Sequence, residues 1–97
     1  VKAVLSEGES LDIGGYKIRM EGGAVKTDRS EVFGSLEGYH LMSETPGIGG
    51  KCSLDIIVDP NLIEIFINDG EYVISNVVYG LGSYIDGHVE QIFAGDE

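Results

Sequence analysis

The groups able to do chemistry in this 97-residue chain are 17 acids, five tyrosines, two histidines and one cysteine. Glu64 stands between Ile63 and Ile65. A carboxylate flanked by apolar residues either works as a general acid or hydrogen-bonds to fix neighbouring loops. Asp59 precedes Pro60-Asn61 at a chain reversal. Cys52 opens an apolar run, which suits a small buried hydrophobe better than a reactive thiol, and a single cysteine forms no internal disulfide. His40 and His88 lie 48 positions apart and show no zinc-ligand spacing. The acids lack the spacing of a calcium loop, and Gly49-Gly50-Lys51 lacks that of a phosphate-binding loop. No metal and no cofactor is therefore expected. Tyr39, Tyr72, Tyr79 and Tyr84 can line a sugar platform, although such rings more often pack in or around a core. No residue is nominated as catalytic or metal-ligating, and no ligand-binding residue is assigned.

The elements that must position these groups are organised around Ser53 to Tyr79. A first strand is expected over Cys52 to Asp59, with Leu54, Ile56 and Val58 on one face and Asp55 and Ile57 on the other. Pro60-Asn61 ends it, because proline cannot donate to a sheet ladder and presets a turn dihedral. A second strand follows over Leu62 to Asn68, Ile63, Ile65 and Ile67 alternating against Leu62, Glu64 and Phe66. Phe66, on the central strand, is expected in the core. Asn68-Asp69-Gly70 reads as a tight hairpin with positive φ at Gly70. The third strand is expected over Glu71 to Tyr79, rich in β-branched and aromatic residues.

Upstream, Val1 to Leu5 reads as an edge strand and Leu11 to Ile13 as a short one. Tyr16, Ile18 and Met20 point inward with Lys17 and Arg19 outward, and Ala24 to Asp28 returns as the partner strand. Glu31-Val32-Phe33 and Tyr39-His40-Leu41-Met42 are apolar islands. Thr45 to Gly50 and Gly80 to Gly87 read as loops, and His88 to Phe93 as a closing strand. No helical period of ten residues or more is present. The expectation is a single all-β domain over residues 1–97, an antiparallel two-sheet sandwich.

Charge narrows the partners. The net charge is −11, and all six basic residues lie in the first 51 positions. Residues 52–97 hold nine acids and no Lys or Arg. Binding to phosphate backbones or anionic membranes needs clustered cations, so neither nucleic acid nor membrane is an expected partner. No apolar run approaches the ~20 residues of a membrane-spanning helix. The lone cysteine favours a reducing compartment.

Val58-Asp59, followed by Ile63-Glu64-Ile65-Phe66-Ile67-Asn68-Asp69-Gly70, resembles the C-terminal β-sandwich of glycoside hydrolase family 32. That family includes invertases, levanases, inulinases and sucrose-6-phosphate hydrolases. Val25-Lys26-Thr27-Asp28-Arg29-Ser30 resembles the family's strand ending in Asp-Arg-Ser. The likeness runs from about Tyr16 to Phe93, with Asp59-Pro60-Asn61 standing where members carry a second Asp-Arg-Ser-like turn. It implies an accessory domain, joined in one chain to an N-terminal five-bladed β-propeller that hydrolyses terminal β-fructosyl units with retention.

Val1 is not a natural start, so the chain reads as a C-terminal fragment of a larger glycosidase. The expected parent is a cytoplasmic sucrose or sucrose-6-phosphate hydrolase, extracellular instead if it is a levanase or inulinase. The family's catalytic motifs, Asn-Asp-Pro, Arg-Asp-Pro and Glu-Cys, have no counterpart: Val58 precedes Asp59, Ser30 follows Arg29 and Lys51 precedes Cys52. The family keeps Glu64's counterpart in the accessory domain, away from the active site, which favours a structural role. Two alternatives stand beside this reading, a module that holds fructoside or fructan chains and a structural or oligomerisation domain.

Overall fold

The structure is a computed structural model that describes residues 1–33 and 42–87. Nine strands occur among these residues: β1 (Lys2–Ser6), β2 (Ser10–Ile13), β3 (Tyr16–Glu21), β4 (Ala24–Asp28), β5 (Met42–Glu44), β6 (Lys51–Asp59), β7 (Leu62–Ile67), β8 (Tyr72–Val77) and β9 (Ile85–Asp86). One 3₁₀ turn covers Ser30–Val32. A four-stranded sheet has the order β1-β6-β7-β8, and a five-stranded sheet the order β5-β4-β3-β2-β9. Every pairing is antiparallel. The molecule is the β-sandwich that the strand spacing predicts.

Period-two alternation puts one face of each long strand inside. Tyr16, Ile18 and Met20 of β3 are fully buried, as are Ile63, Ile65 and Ile67 of β7. Ala3 and Leu5 of β1, Leu11 and Ile13 of β2, and Cys52, Leu54 and Ile56 of β6 complete the core between the sheets. Each buried isoleucine contributes about 1.5–3 kcal/mol through removal of apolar surface from water. On the opposite side of the five-stranded sheet, Lys26 bridges Glu21 and Glu44, and Arg19 pairs with Glu21.

The turns follow from side-chain chemistry. Pro60-Asn61 reverses the chain between Asp59 and its partner Leu62. Asn68 and Asp69 both take positive φ, 53° and 61°, followed by Gly70 at 91°. That mirror-image turn suits the right-handed twist of a hairpin, and Asn and Asp tolerate it better than bulkier residues. The Asn68 side-chain oxygen also accepts a hydrogen bond from the Ser53 N–H at 3.0 Å. The Glu7 carboxylate accepts the N–H groups of Gly22 and Gly23, at 2.6 and 2.9 Å. One carboxylate thereby pins the β1–β2 turn to the β3–β4 hairpin.

Three expectations need correction. Phe66 is not in the core: it is half-buried on the outer face, because Ile63, Ile65 and Ile67 hold the inner face and alternation sends Phe66 the other way. Val58 shares the inner face with Leu54 and Ile56, as alternation predicts, and is 39% exposed. The third strand is Tyr72–Val77, shorter than expected at both ends. The stretch Gly80 to Gly87 contains the two-residue strand β9, paired with β2 through Asp12–Asp86 and Ile13–Ile85. The expected strand His88 to Phe93 and the island Tyr39 to Leu41 lie outside the described residues.

Candidate functional site

The polar groups that the fold brings together lie between the sheets, at the ends of β4 and β8. Tyr16 points inward from β3 and donates its hydroxyl to the Asn76 side-chain oxygen of β8 at 2.5 Å. Both residues are buried, so the bond spans the two sheets through the core. Burial pushes the Tyr16 phenol up to about 12, with the Thr27 hydroxyl and the Arg29 charge pulling the other way. A phenol shielded from water resists ionisation because the phenolate would lose its hydration. Thr27, also buried, lies on the same face of β4 as Val25.

Asp28-Arg29-Ser30 leaves β4 beside this cluster. The Asp28 carboxylate accepts the Ser30 N–H at 2.8 Å, which holds it below the usual carboxylate range. Arg29 turns inward and is nearly buried. Its guanidinium lies 3.9 Å from the centre of the Phe33 ring, and Nη1 donates to the Val77 carbonyl at 2.7 Å. Phe33 in turn packs on Tyr79 with ring centres 5.4 Å apart. The Tyr79 N–H donates to the Val32 carbonyl. Arg29 therefore ties the end of the five-stranded sheet to the end of β8 in the other. Its planar fork and weak hydration make arginine suited to a stacked, buried position of this kind.

The other candidates are scattered. Asp59 is exposed at the end of β6, opposite Leu62. Glu64 is half-buried on the outer face of β7, and its cross-strand neighbours are Ile57 and Ser75, neither of them an acid. Cys52 is buried, and burial raises its thiol above the ordinary range, as suits a packing residue. Tyr72 packs against the core, Tyr79 covers Phe33, and Tyr84 lies half-exposed beside Val58 and Ile85 at another groove. The structure thus gives these three rings different surroundings. Tyr39, His40 and His88 lie outside the described residues. Among the described residues, no three His, Cys, Asp or Glu side chains gather to hold a metal ion.

Sequence reading missed Asn76 and the reach of Arg29. Asn76 occupies an inward position, with Ile74 and Val78 two places away on either side, a signal that a buried amide needs a partner. What the cluster does chemically is hold two sheets in register.

A family model described as Glycosyl hydrolases family 32 C terminal matches residues 8–94. Comparison with curated proteins returns no match, and neither does comparison with solved structures. The match takes in the span from β2 to β9, including the Asp28-Arg29-Ser30 turn and the Asn68-Asp69-Gly70 hairpin. This sandwich, clamped between its sheets by Tyr16 and Arg29, belongs to the C-terminal domain family of the family 32 glycosyl hydrolases.

Proposed function

We propose that this domain is the non-catalytic accessory sandwich of a β-fructofuranosidase-type glycosidase, and that it stabilises the catalytic β-propeller of the same chain. The observation that carries the reading is the family match over residues 8–94. The disposition of the polar groups supports it. Tyr16, Asn76 and Arg29 are spent on joining the sheets, and Glu64 faces Ile57 and Ser75 across its strands. A retaining glycosidase works with two carboxyl groups about 5–5.5 Å apart, one as nucleophile and one as acid/base. No motif of that chemistry is present, since Asp59 follows Val58 and Arg29 precedes Ser30. Sucrose or sucrose 6-phosphate is the substrate proposed for the parent.

The test is to assay the isolated segment, the parent and a truncated parent for released fructose. The segment alone is expected to release none, and the truncated parent less than the intact one. Activity in the segment would overturn the non-catalytic reading. A truncated parent with unchanged activity and melting temperature would overturn the stabilising role.

A second reading is favoured by one observation: Tyr79 and Tyr84 each keep about half of their surface exposed, 51% and 50%. Exposed rings can stack on sugar faces, as a fructan-binding module requires. Titration with fructose, sucrose and levan, followed by amide chemical shifts, separates the two. Shifts clustered at Tyr79 or Tyr84 would favour the binding module.

A further inference from the structure

The pairing of β1 with β6 stops before β6 does. Lys2 faces Asp55, and Val1 exchanges both backbone bonds with Ile56. The Val1 amine donates to the Ile56 carbonyl at 2.9 Å, and the Ile56 N–H donates to the Val1 carbonyl at 2.7 Å. Beyond that pair β6 runs on through Ile57, Val58 and Asp59, which on their other side pair with Glu64, Ile63 and Leu62 of β7. Backbone groups point to alternate sides along an antiparallel strand. The N–H and C=O of Val58 therefore point the same way as those of Ile56, toward the line of β1 and past its end. Beside this edge lies a groove of about 470 Å³ between the two sheets, lined by Val1, Ile13, Val58, Tyr84 and Ile85 among others. Its walls include Val58 and Tyr84, apolar groups left 39% and 50% exposed.

We propose that this edge and groove hold the segment of the same chain immediately upstream of Val1. That segment continues β1 along Ile57, Val58 and Asp59, and the residue two places before Val1 fills the groove. The inference rests on the chain being the C-terminal domain of a longer glycosidase, and not on what that glycosidase hydrolyses.

Three observations select this occupant. The register is already set by the Val1–Ile56 pair, so the upstream backbone arrives at Val58 without turning. Ala3 and Leu5 are buried and Val1 packs against the core, so alternation directs the residue two places before Val1 into the groove. A second copy docking through the same edge would bring together two molecules of net charge −11. A covalently attached strand also has the advantage of high effective concentration, and it closes an edge that would otherwise template aggregation.

The experiment uses the full-length parent in a Cys52→Ala background. One variant carries Val58→Cys with a cysteine at the residue two places before Val1. Hydrogen-bonded antiparallel pairs have Cα atoms about 5.5 Å apart, within the roughly 4.4–6.8 Å that a disulfide spans. The control places the second cysteine directly before Val1, where it would face Ile57 and point to the other side of the sheet. Mild oxidation followed by peptide mapping is expected to show an intrachain disulfide in the first variant and none in the control. Equal linkage in both overturns the register, and no linkage in a parent that melts like wild type overturns the proposal. A disulfide between chains assigns the edge to a second copy and also overturns it.

Hydrogen exchange on the unmodified parent gives an independent reading. The Val58 amide should be protected to within about tenfold of the Ile56 amide, whereas exchange as fast as that of an exposed loop overturns the proposal. Neither readout uses fructose release, so failure here leaves the accessory-domain reading standing. Loss of that reading in the truncation assay likewise leaves this register test intact.

Discussion

Tyr16 and Asn76 carry a side-chain to side-chain hydrogen bond that crosses the core. Tyr16→Phe removes the donor and leaves the Asn76 oxygen buried without it. The expected cost is about 1–3 kcal/mol, read as a lower urea midpoint. The same side chain sets a pH dependence. Its folded value, about 12, lies above the ordinary value of 10.0, so the folded state holds its proton where the unfolded chain has released it. The contribution is fully present below pH 10 and is lost progressively as pH rises towards 12. Each unit of separation corresponds to about 1.4 kcal/mol. Urea midpoints at pH 9 and pH 11 should fall less in Tyr16→Phe than in wild type, and an equal fall in both would refute the assignment.

At the scale of elements, β7 offers a direct comparison between its two faces. Ile65 is fully buried between Ile56 and Ile74 on its cross-strand neighbours, and Phe66 is half-buried on the outside. Ile65→Ala should cost about 2–5 kcal/mol. Phe66→Ala should cost roughly 1–1.5 kcal/mol, about half the value of fully burying such a side chain. A larger loss at Phe66 would mean that the outer face is covered. The hairpins offer a second contrast, between two glycines at positive φ. Gly70, at 91°, has open space around the position of a Cβ, so Gly70→Ala should cost only backbone strain, about 1–2 kcal/mol. Gly14, at 58°, sits against the backbone of Gly82, and a Cβ there would run into the Gly82 carbonyl. The two residues are joined by the Gly82 N–H donating to the Gly14 carbonyl at 2.9 Å. Gly14→Ala should therefore lower the melting temperature more than Gly70→Ala, because it must also part the β2–β3 turn from the chain before β9.

For the whole molecule, the proposed role predicts what removal does to the parent. Inter-domain interfaces within one chain commonly bury roughly 600–1,500 Å². Cutting the sandwich away would expose the propeller's share of that surface to water and favour aggregation. The truncated parent should elute partly as aggregate in size-exclusion chromatography and melt at a lower temperature. A monodisperse truncated parent with an unchanged melting temperature would remove the stabilising role. On the sandwich, Ile57, Val73 and Val77 are the exposed apolar residues of the outer face of the four-stranded sheet, and Met42 is exposed on the edge strand of the other.

The sequence by itself determined the sandwich, because period-two alternation and turn residues are local signals. Tyr16-Lys17-Ile18-Arg19-Met20 announces its own inner face, and Asn68-Asp69-Gly70 its own hairpin. The family was equally legible in the Asp28-Arg29-Ser30 and Glu64–Gly70 runs. Tertiary structure decided which strand lies beside which, and with it the partner of every buried polar group. Tyr16 and Asn76 are 60 positions apart, and Arg29 lies 48 positions from the Val77 carbonyl that it binds. No local pattern encodes such distances, since they depend on how two sheets close over one core. Phe66 marks the boundary between the two kinds of information. Its alternation with Ile65 and Ile67 was written in the sequence, and only the packed sheet showed that the isoleucines hold the inside.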